Sequence, residues 1–389
     1  MKIARMMAGI PTLNAGLYRK IRFLVGDPVA WVEFYAEEGG VGVPATESTL
    51  ILRDIEMQRA RASANATHIA CPADFTPTGG LSGDRETATA QSAAEFVIRN
   101  GFSKVTVDRS LPMIYAEMLN RAGIAVHCDT EWGLIERRQK DASEIAAIRF
   151  AQQQTEEVMR LACQTIARAG VDQENVLMHE GRVLTSERMQ SMIDVWLLER
   201  GFSNPMSIVA SGPVGADCHD HGHGPIRTME PVIVDIFPRD KKSLYNGDCT
   251  RTVVHGKISP TIASMHAAVT KAKAAAMASV RAGVTGQSVH EATSRSIEAS
   301  GYQMGFPPEG AHDDFASMTH GTGHGLGLEV HEPPLLALGG PELLEGDVVT
   351  IEPGLYCKSV GGVRLEDMVV VTSDGCINLN SLPEGLDWS

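Results

Sequence analysis

The chain reads VIVDIFPRDKKSLYNGDCTRTVV from residue 232 to 254 and VVTIEPGLYCKSVGGVRLEDMVVV from residue 348 to 371. In each stretch an apolar strand ends in an acid, Asp235 or Glu352, and a turn containing proline follows. A second acid, Asp248 or Glu366, then precedes a returning apolar strand. The repeat predicts two antiparallel hairpins, each of which brings two carboxylates to the same side of a strand pair.

The four acids predict a cation site. Four carboxylates in one buried cleft raise one another's pKa or force the site apart unless cations neutralise them. A single acid at the end of a strand commonly faces water. Because the same pattern occurs twice, with a histidine cluster between the copies, we favour a site for divalent ions.

That cluster reads THGTGHGLGLEVHEPP from residue 319 to 334 and interleaves three histidines with four glycines. Glycine lets the backbone approach a site closely. The cluster lacks the His-Glu-x-x-His helix of zincins, because two prolines follow His331 and Glu332. One imidazole with four carboxylates is a hard ligand set that suits Mn²⁺, Co²⁺, Fe²⁺ or Zn²⁺. Two such ions about 3.5 Å apart would activate water and polarise a carbonyl, which is the chemistry of amide hydrolysis.

The length and patterning of the chain predict two domains. Its 389 residues exceed the usual limit of one core. Short apolar strands alternate with helical patterns in the first third, as is typical of an α/β domain. Asp141 to Glu144 then reads as a capping box that opens a helix. We therefore predict domains at 1–138 and 139–389, with helices in the second domain near 141–169, 181–201 and 263–282.

Composition excludes several classes of protein. The formal net charge of −14 and the lack of a basic run disfavour binding to nucleic acid. No apolar window is long enough for a membrane span, and the N-terminus lacks an export signal. The seven cysteines are scattered without a Cys-x-x-Cys pair, as expected for reduced thiols in the cytoplasm.

The two hairpin strings and the histidine cluster resemble the metal-ligand motifs of the pita-bread metallopeptidases, Xaa-Pro aminopeptidase and Xaa-Pro dipeptidase (prolidase). The strings SGPVGADCHDHGHGP at 211–225 and KDASEIAAIRFA at 140–151 extend the resemblance over roughly residues 139 to 372. It implies an α/β N-terminal domain of creatinase/prolidase type and an α+β C-terminal pita-bread domain of creatinase/aminopeptidase type. It also implies a homodimer.

The resemblance also assigns roles to individual residues. It implies that two divalent metal ions, most often manganese, bind to five ligands: Asp235, Asp248, His324, Glu352 and Glu366. Glu352 would also take a proton from the attacking water, and His331 and His219 would assist catalysis at the substrate amide. His320 and Arg364 would contribute to substrate binding. His221 and His223 flank His219 and are chemically similar to it, so the choice among the three is left open.

The implied function is hydrolysis of the amide bond between an N-terminal residue and proline, by an aminopeptidase or a dipeptidase. The motifs do not separate these two activities. An alternative on the same fold is a hydrolase of a small amidine-type metabolite, like creatinase or ectoine hydrolase relatives. A third is a binding module without enzymatic activity, although such relatives typically lack the ligand set.

Overall fold

The structure of the protein is a computed structural model that describes residues 3–35 and 47–389. The chain forms two compact units, Met1–Arg137 and Arg138–Ser389. Within the described residues, no helix combines the length and the apolar character that crossing a bilayer requires.

The first unit contains one six-stranded sheet in the order β4-β3-β2-β1-β5-β6. Strands β1, β2 and β3 are antiparallel neighbours, whereas the pairs β3/β4, β1/β5 and β5/β6 are parallel. The α/β character predicted for this part of the chain is confirmed. Its elements are β1 (Ile3–Gly9), α1 (Ala15–Ile21), β2 (Val29–Tyr35), β3 (Glu47–Ile51), α2 (Met57–Ser63), β4 (His68–Ala70), α3 (Arg85–Arg99), β5 (Lys104–Asp108), α4 (Met113–Arg121) and β6 (Ala125–Asp129).

Helix α5 (Ala142–Ala167) opens the second unit with the predicted capping box. Oδ1 of Asp141 accepts the backbone N–H of Glu144 at 2.9 Å, and Oε2 of Glu144 accepts the N–H of Asp141 at 3.0 Å. Ile148, Ala151 and Val158 lie on one face of this helix and are buried. This face packs into a core with strands β12 (Pro231–Ile236) and β14 (Cys249–Val254), which places α5 behind the first acidic hairpin.

The predicted helix at 181–201 begins later in the structure. Helix α6 spans Ser186–Glu199, because Thr185 caps its first turn by accepting the N–H of Arg188. The residues before it form strand β9. The elements of this segment are β7 (Gly170–Val171), β8 (Leu177–His179), β9 (Arg182–Val183), α6, β10 (Phe202–Ser203), β11 (Ser207–Ser211), β12 (Pro231–Ile236), β13 (Arg239–Asp240) and β14 (Cys249–Val254).

Both predicted hairpins are confirmed. Strands β12 and β14 pair antiparallel, and so do β19 and β22. The first pair belongs to the sheet β11-β12-β14 and the second to the sheet β18-β17-β19-β22-β23. The remaining elements are α7 (Pro260–Ser279), α8 (Gly286–Ala299), β15 (Gln303–Met304), β16 (Ala316–Met318), β17 (Gly323–Gly325), β18 (Glu332–Leu336), β19 (Val348–Ile351), β20 (Gly354–Cys357), β21 (Gly361–Arg364), β22 (Asp367–Val371) and β23 (Cys376–Asn378).

Candidate metal centre

The two hairpins place their acids as the repeat predicts. Asp235 lies near the end of β12, and Asp248 directly precedes β14. Glu352 directly follows β19, and Glu366 directly precedes β22. The hydroxyl of Thr250 in the first hairpin donates to Oε2 of Glu366 in the second at 2.8 Å. The four acids therefore converge on one place.

The carboxylates lie so close together that the negative charge of one raises the pKa of its neighbours. Burial and the neighbouring Glu366 raise the pKa of Asp248 well above its usual range. Burial, followed by the charges of Glu352 and Asp235, does the same to the pKa of Glu366. Burial is also the main cause that raises the pKa of Glu352 to about 7. A compensating positive charge would remove this conflict.

His324 lies beside the acids on strand β17. Its Nε2 is 3.4 Å from Oε1 of Glu352 and 3.8 Å from Oδ2 of Asp248. Burial lowers the pKa of this imidazole and so favours its neutral form, in which a ring nitrogen can bind a metal. A Cβ at Gly323 would lie 2.0 Å from the carbonyl oxygen of Thr350. The glycine is needed there because the strand backbones approach closely.

These residues fit a metal centre. Ligand atoms of Asp248, His324 and Glu366 all lie within 4.8 Å of one another, and the three residues are buried. Oδ1 of Asp235 is buried too, and it finds no hydrogen-bond donor within residues 3–35 and 47–389. Buried acceptors without donors are rare in folded proteins, and a cation would satisfy this one. The assignment of all five residues as ligands stays a prediction.

The guanidinium group of Arg364 forms hydrogen bonds with several other groups of the protein. Its Nη2 donates to Oδ2 of Asp235 at 2.7 Å, and its Nη1 donates to the Tyr356 hydroxyl at 3.0 Å and to the carbonyl of Cys218 at 3.2 Å. Its Nε lies 3.4 Å from the hydroxyl of Thr250. These contacts position Asp235. The predicted role of Arg364 in substrate binding remains a prediction.

His320 contacts the same tyrosine hydroxyl, that of Tyr356, as Arg364 does. Its Nε2 lies 2.7 Å from the Tyr356 hydroxyl, and its Nδ1 lies 2.7 Å from the carbonyl of Gly321. Burial lowers the pKa of His320 to about 4, so the ring is neutral near pH 7. A carbonyl only accepts, so Nδ1 carries the proton, and Nε2 accepts from Tyr356. His320 thus presents a fixed, uncharged ring.

A cavity of about 580 Å³ opens over the acids, within the range of small-ligand sites. All nine predicted site residues line it. His219 and His221 both reach it, whereas the His223 side chain is 70% exposed and is absent from the described lining. The other lining residues include several apolar side chains: Met206, Ile208, Phe237, Val330, Leu335 and Ala337.

The structure explains one acid that lies inside the first hairpin. Asp240 accepts the backbone N–H groups of Lys242 and Ser243 at 3.1 and 3.0 Å, so it stabilises the turn. Two contact residues, Thr350 and Tyr356, were not predicted from the sequence. The hydroxyl of Thr350 accepts the N–H of His324 at 3.1 Å and lies 3.3 Å from Oε1 of Glu352. Both residues lie within the quoted strings, but no residue pattern distinguishes them from ordinary strand positions.

Comparison with known proteins identifies the family to which this chain belongs. The sequence model of metallopeptidase family M24 matches residues 146–373. The chain belongs to metallopeptidase family M24. This M24 segment contains all of the candidate ligands and all of the described cavity lining, so the cofactor expected here is a divalent metal ion.

Curated relatives match part of the M24 chain. A Mycobacterium bovis protein named "Probable dipeptidase PepE" is 36% identical over 182 residues, which are 46% of this chain and 45% of that protein. The Xaa-Pro dipeptidase of Pyrococcus horikoshii is 36% identical over 132 residues, 34% of each chain. The matched segment thus spans less than half the length of either relative.

Solved structures share the fold over nearly the whole M24 chain. The X-Pro aminopeptidase of Thermotoga maritima has a TM-score of 0.77 at 21% identity, with 98% of this chain and 96% of that chain covered. This likeness confirms the predicted fold class, an α/β N-terminal domain of creatinase/prolidase type and an α+β pita-bread domain.

Proposed function

We propose that the chain is a dinuclear metal-dependent peptidase that hydrolyses the amide bond between an N-terminal residue and proline. One observation carries the proposal: four carboxylates, three of them buried, and His324 converge at a cavity that histidines and apolar side chains line. The names of the relatives, Xaa-Pro dipeptidase and X-Pro aminopeptidase, support the choice of substrate.

We propose five ligands for two ions: Asp235, Asp248, His324, Glu352 and Glu366. Manganese is the metal we favour, with cobalt, zinc or iron as alternatives. When bound, such ions act as Lewis acids that polarise a substrate carbonyl and neutralise the carboxylates around them. Thr250, Thr350 and Arg364 hold Glu366, Glu352 and Asp235 respectively, so three of the four carboxylates receive a side-chain donor from the protein.

The other proposed roles belong to the histidines and to Glu352. Glu352 would accept a proton from water as the general base, because it lies in the cavity and its carboxylate is fixed. His331, whose ring centroid lies 4.3 Å from that of His324, would donate to the substrate oxygen. His219 would donate to the scissile amide. His320 would form a neutral wall of the proline subsite.

We propose that residues 1–138 form the creatinase/prolidase-like domain, that residues 139–389 form the catalytic domain, and that two chains associate as a homodimer. These features are expected from the resemblance to the pita-bread peptidases. The cavity lining lies entirely within Arg138–Ser389, so the second unit would hold the catalytic groups.

A substrate panel tests the proposed activity. Manganese-loaded protein is incubated with Xaa-Pro dipeptides, with longer peptides that begin Xaa-Pro, and with the same peptides carrying alanine in place of proline. We expect release of the N-terminal residue from the proline series, lost on chelation and restored by Mn²⁺. Creatine and cyclic amidines complete the panel. Turnover of these compounds without turnover of Xaa-Pro peptides would replace the proposal with small-metabolite hydrolysis.

A further inference from the structure

Two of the acids proposed as metal ligands, Asp248 and Glu366, share a backbone position. Asp248 and Glu366 each lie one residue before the strand that follows them. The ladder between β12 and β14 ends at the pair Ile236 and Cys249, so the peptide groups of Asp248 lie just outside it. Buried peptide groups require partners from elsewhere in the protein.

Glu366 obtains those partners from the first hairpin. Its backbone N–H donates to the carbonyl of Thr250 at 3.1 Å, and its carbonyl accepts Nη1 of the buried Arg251 at 2.6 Å. The two partners lie two and three residues after the other acid, Asp248, in the chain. The first hairpin thus holds the backbone of the second at the site.

Asp248 obtains both partners from one side chain. Oε1 of Gln152 accepts the backbone N–H of Asp248 at 2.8 Å, and Nε2 of Gln152 donates to the carbonyl of Asp248 at 2.8 Å. Gln152 is fully buried on helix α5 and lies 96 positions away in sequence. Its amide therefore makes the paired contact that a neighbouring strand would make if the ladder continued.

The packing around this contact leaves little room for movement. A Cβ at Gly247 would lie 2.2 Å from Oγ1 of Thr155 and 2.9 Å from the carbonyl oxygen of Ala151. The residue before Asp248 therefore lies directly against α5. Since α5 is a helix of 26 residues in the hydrophobic core, it forms a rigid support for the hairpin end.

We propose that Gln152 is a positioning residue that fixes Asp248 for metal binding by clamping both of its backbone hydrogen-bonding groups. The inference rests on the proposed metal centre. Gln152 is absent from the described lining of the cavity, so it would act through the orientation of Asp248. Residues that orient metal ligands typically contribute about 10- to 100-fold to metal affinity or activity.

Titration of chelator-treated, full-length protein with MnCl₂ by calorimetry tests this role. Gln152→Met keeps the length and the helix propensity of the side chain but removes both hydrogen bonds. We expect Mn²⁺ to bind this variant at least about tenfold more weakly than wild type. Gln153→Met is the matched control, because it makes the same substitution at an exposed position of α5. The control should stay within about threefold of wild type, which is small against that expected loss.

Circular dichroism and thermal unfolding in chelator show which variants are folded before titration. Gln152→Asn keeps a neutral amide but is one methylene shorter and so cannot reach both backbone groups of Asp248, and its affinity decides the question if the Gln152→Met protein does not fold. Wild-type Mn²⁺ affinity in a folded Gln152 variant would overturn the inference and leave the proposed function standing. No Mn²⁺ binding by wild type would overturn both.

Discussion

The hydroxyl of Thr250 donates to Oε2 of Glu366 at 2.8 Å, so a residue of the first acidic hairpin holds a carboxylate of the second. Thr250 is fully buried and lies opposite Asp235 in the strand pair β12/β14. A single side chain therefore links the two halves of the candidate metal centre.

Replacing Thr250 with valine should weaken metal binding. The side chain keeps its shape, but Glu366 loses the donor that orients it, and we expect about 10- to 100-fold lower metal affinity or activity. Thr293→Val is a suitable control, because Thr293 is buried in α8 and its hydroxyl donates to the carbonyl of Val289 in the same helix. Both are measured by Mn²⁺ titration and peptide turnover. Equal affinities for the two variants would show that the contact does not matter.

Asp248→Asn should have opposite effects with and without metal. In chelator, wild type must either keep Asp248 charged among other carboxylates or protonate it, and asparagine avoids that cost, so the variant should unfold at a higher temperature than wild type. With Mn²⁺ added, wild type should gain stability through binding, whereas the variant should not. Differential scanning calorimetry measures both. A lower melting temperature of the variant in chelator would contradict the repulsion argued for these acids.

Because His320 is buried as a neutral ring, we expect the protein to lose stability in acid. Burial lowers its pKa in the folded protein to about 4, whereas an unfolded histidine titrates near 6.5. The contribution of the neutral His320 ring to the free energy of unfolding is therefore complete above about pH 6.5. It falls as the pH approaches 4, because the unfolded histidine takes up a proton that the folded one does not.

The slope of stability against pH in that window should be steeper for wild type than for His320→Asn, by at most about 1.4 kcal/mol per pH unit. His312→Asn serves as the control, because the His312 side chain is 93% exposed. Denaturant unfolding at several pH values gives the slopes. Parallel curves for wild type and His320→Asn would refute the assignment.

Asp367 follows the candidate ligand Glu366, and Lys273 forms ion pairs with both Asp367 and Glu384. It accepts Nη2 of Arg251 at 2.8 Å and pairs with Lys273, whose Nζ also lies 2.7 Å from Oε1 of Glu384. Burial opposes the charge of Asp367, yet Arg251 and Lys273 hold its pKa below the usual range.

Asp367→Asn should leave two buried cations poorly compensated and destabilise the protein by about 3 to 5 kcal/mol. The exposed Asp374 provides the control, and Asp374→Asn should change stability little. Chemical denaturation compares the two. A loss below about 1 kcal/mol for Asp367→Asn, in the range of exposed ion pairs, would show that the buried network contributes little.

The hairpins were predictable from sequence because strand patterning is local. An apolar run that ends in an acid defines both the strand and the end at which its carboxylate lies, as Asp235 and Glu352 show. The start of α6 was placed too early, because residues 182–183 extend as strand β9 and Thr185 supplies the cap.

The supporting contacts were not predictable in the same way. Gln152 and Asp248 are 96 positions apart, and Thr250 and Glu366 are 116 apart. A buried glutamine on a helix and a threonine in a strand have no local signature of such roles. They depend on how α5 and the two hairpins pack, which a single sequence does not specify through periodicity or spacing.

The central claim is the dinuclear metal centre, and the metal content of the purified protein tests it most directly. After loading with Mn²⁺ and removal of free metal, mass spectrometry of the bound element should find two ions per chain in wild type and fewer in Asp248→Asn. Wild-type protein that is folded and retains no divalent metal would contradict the account.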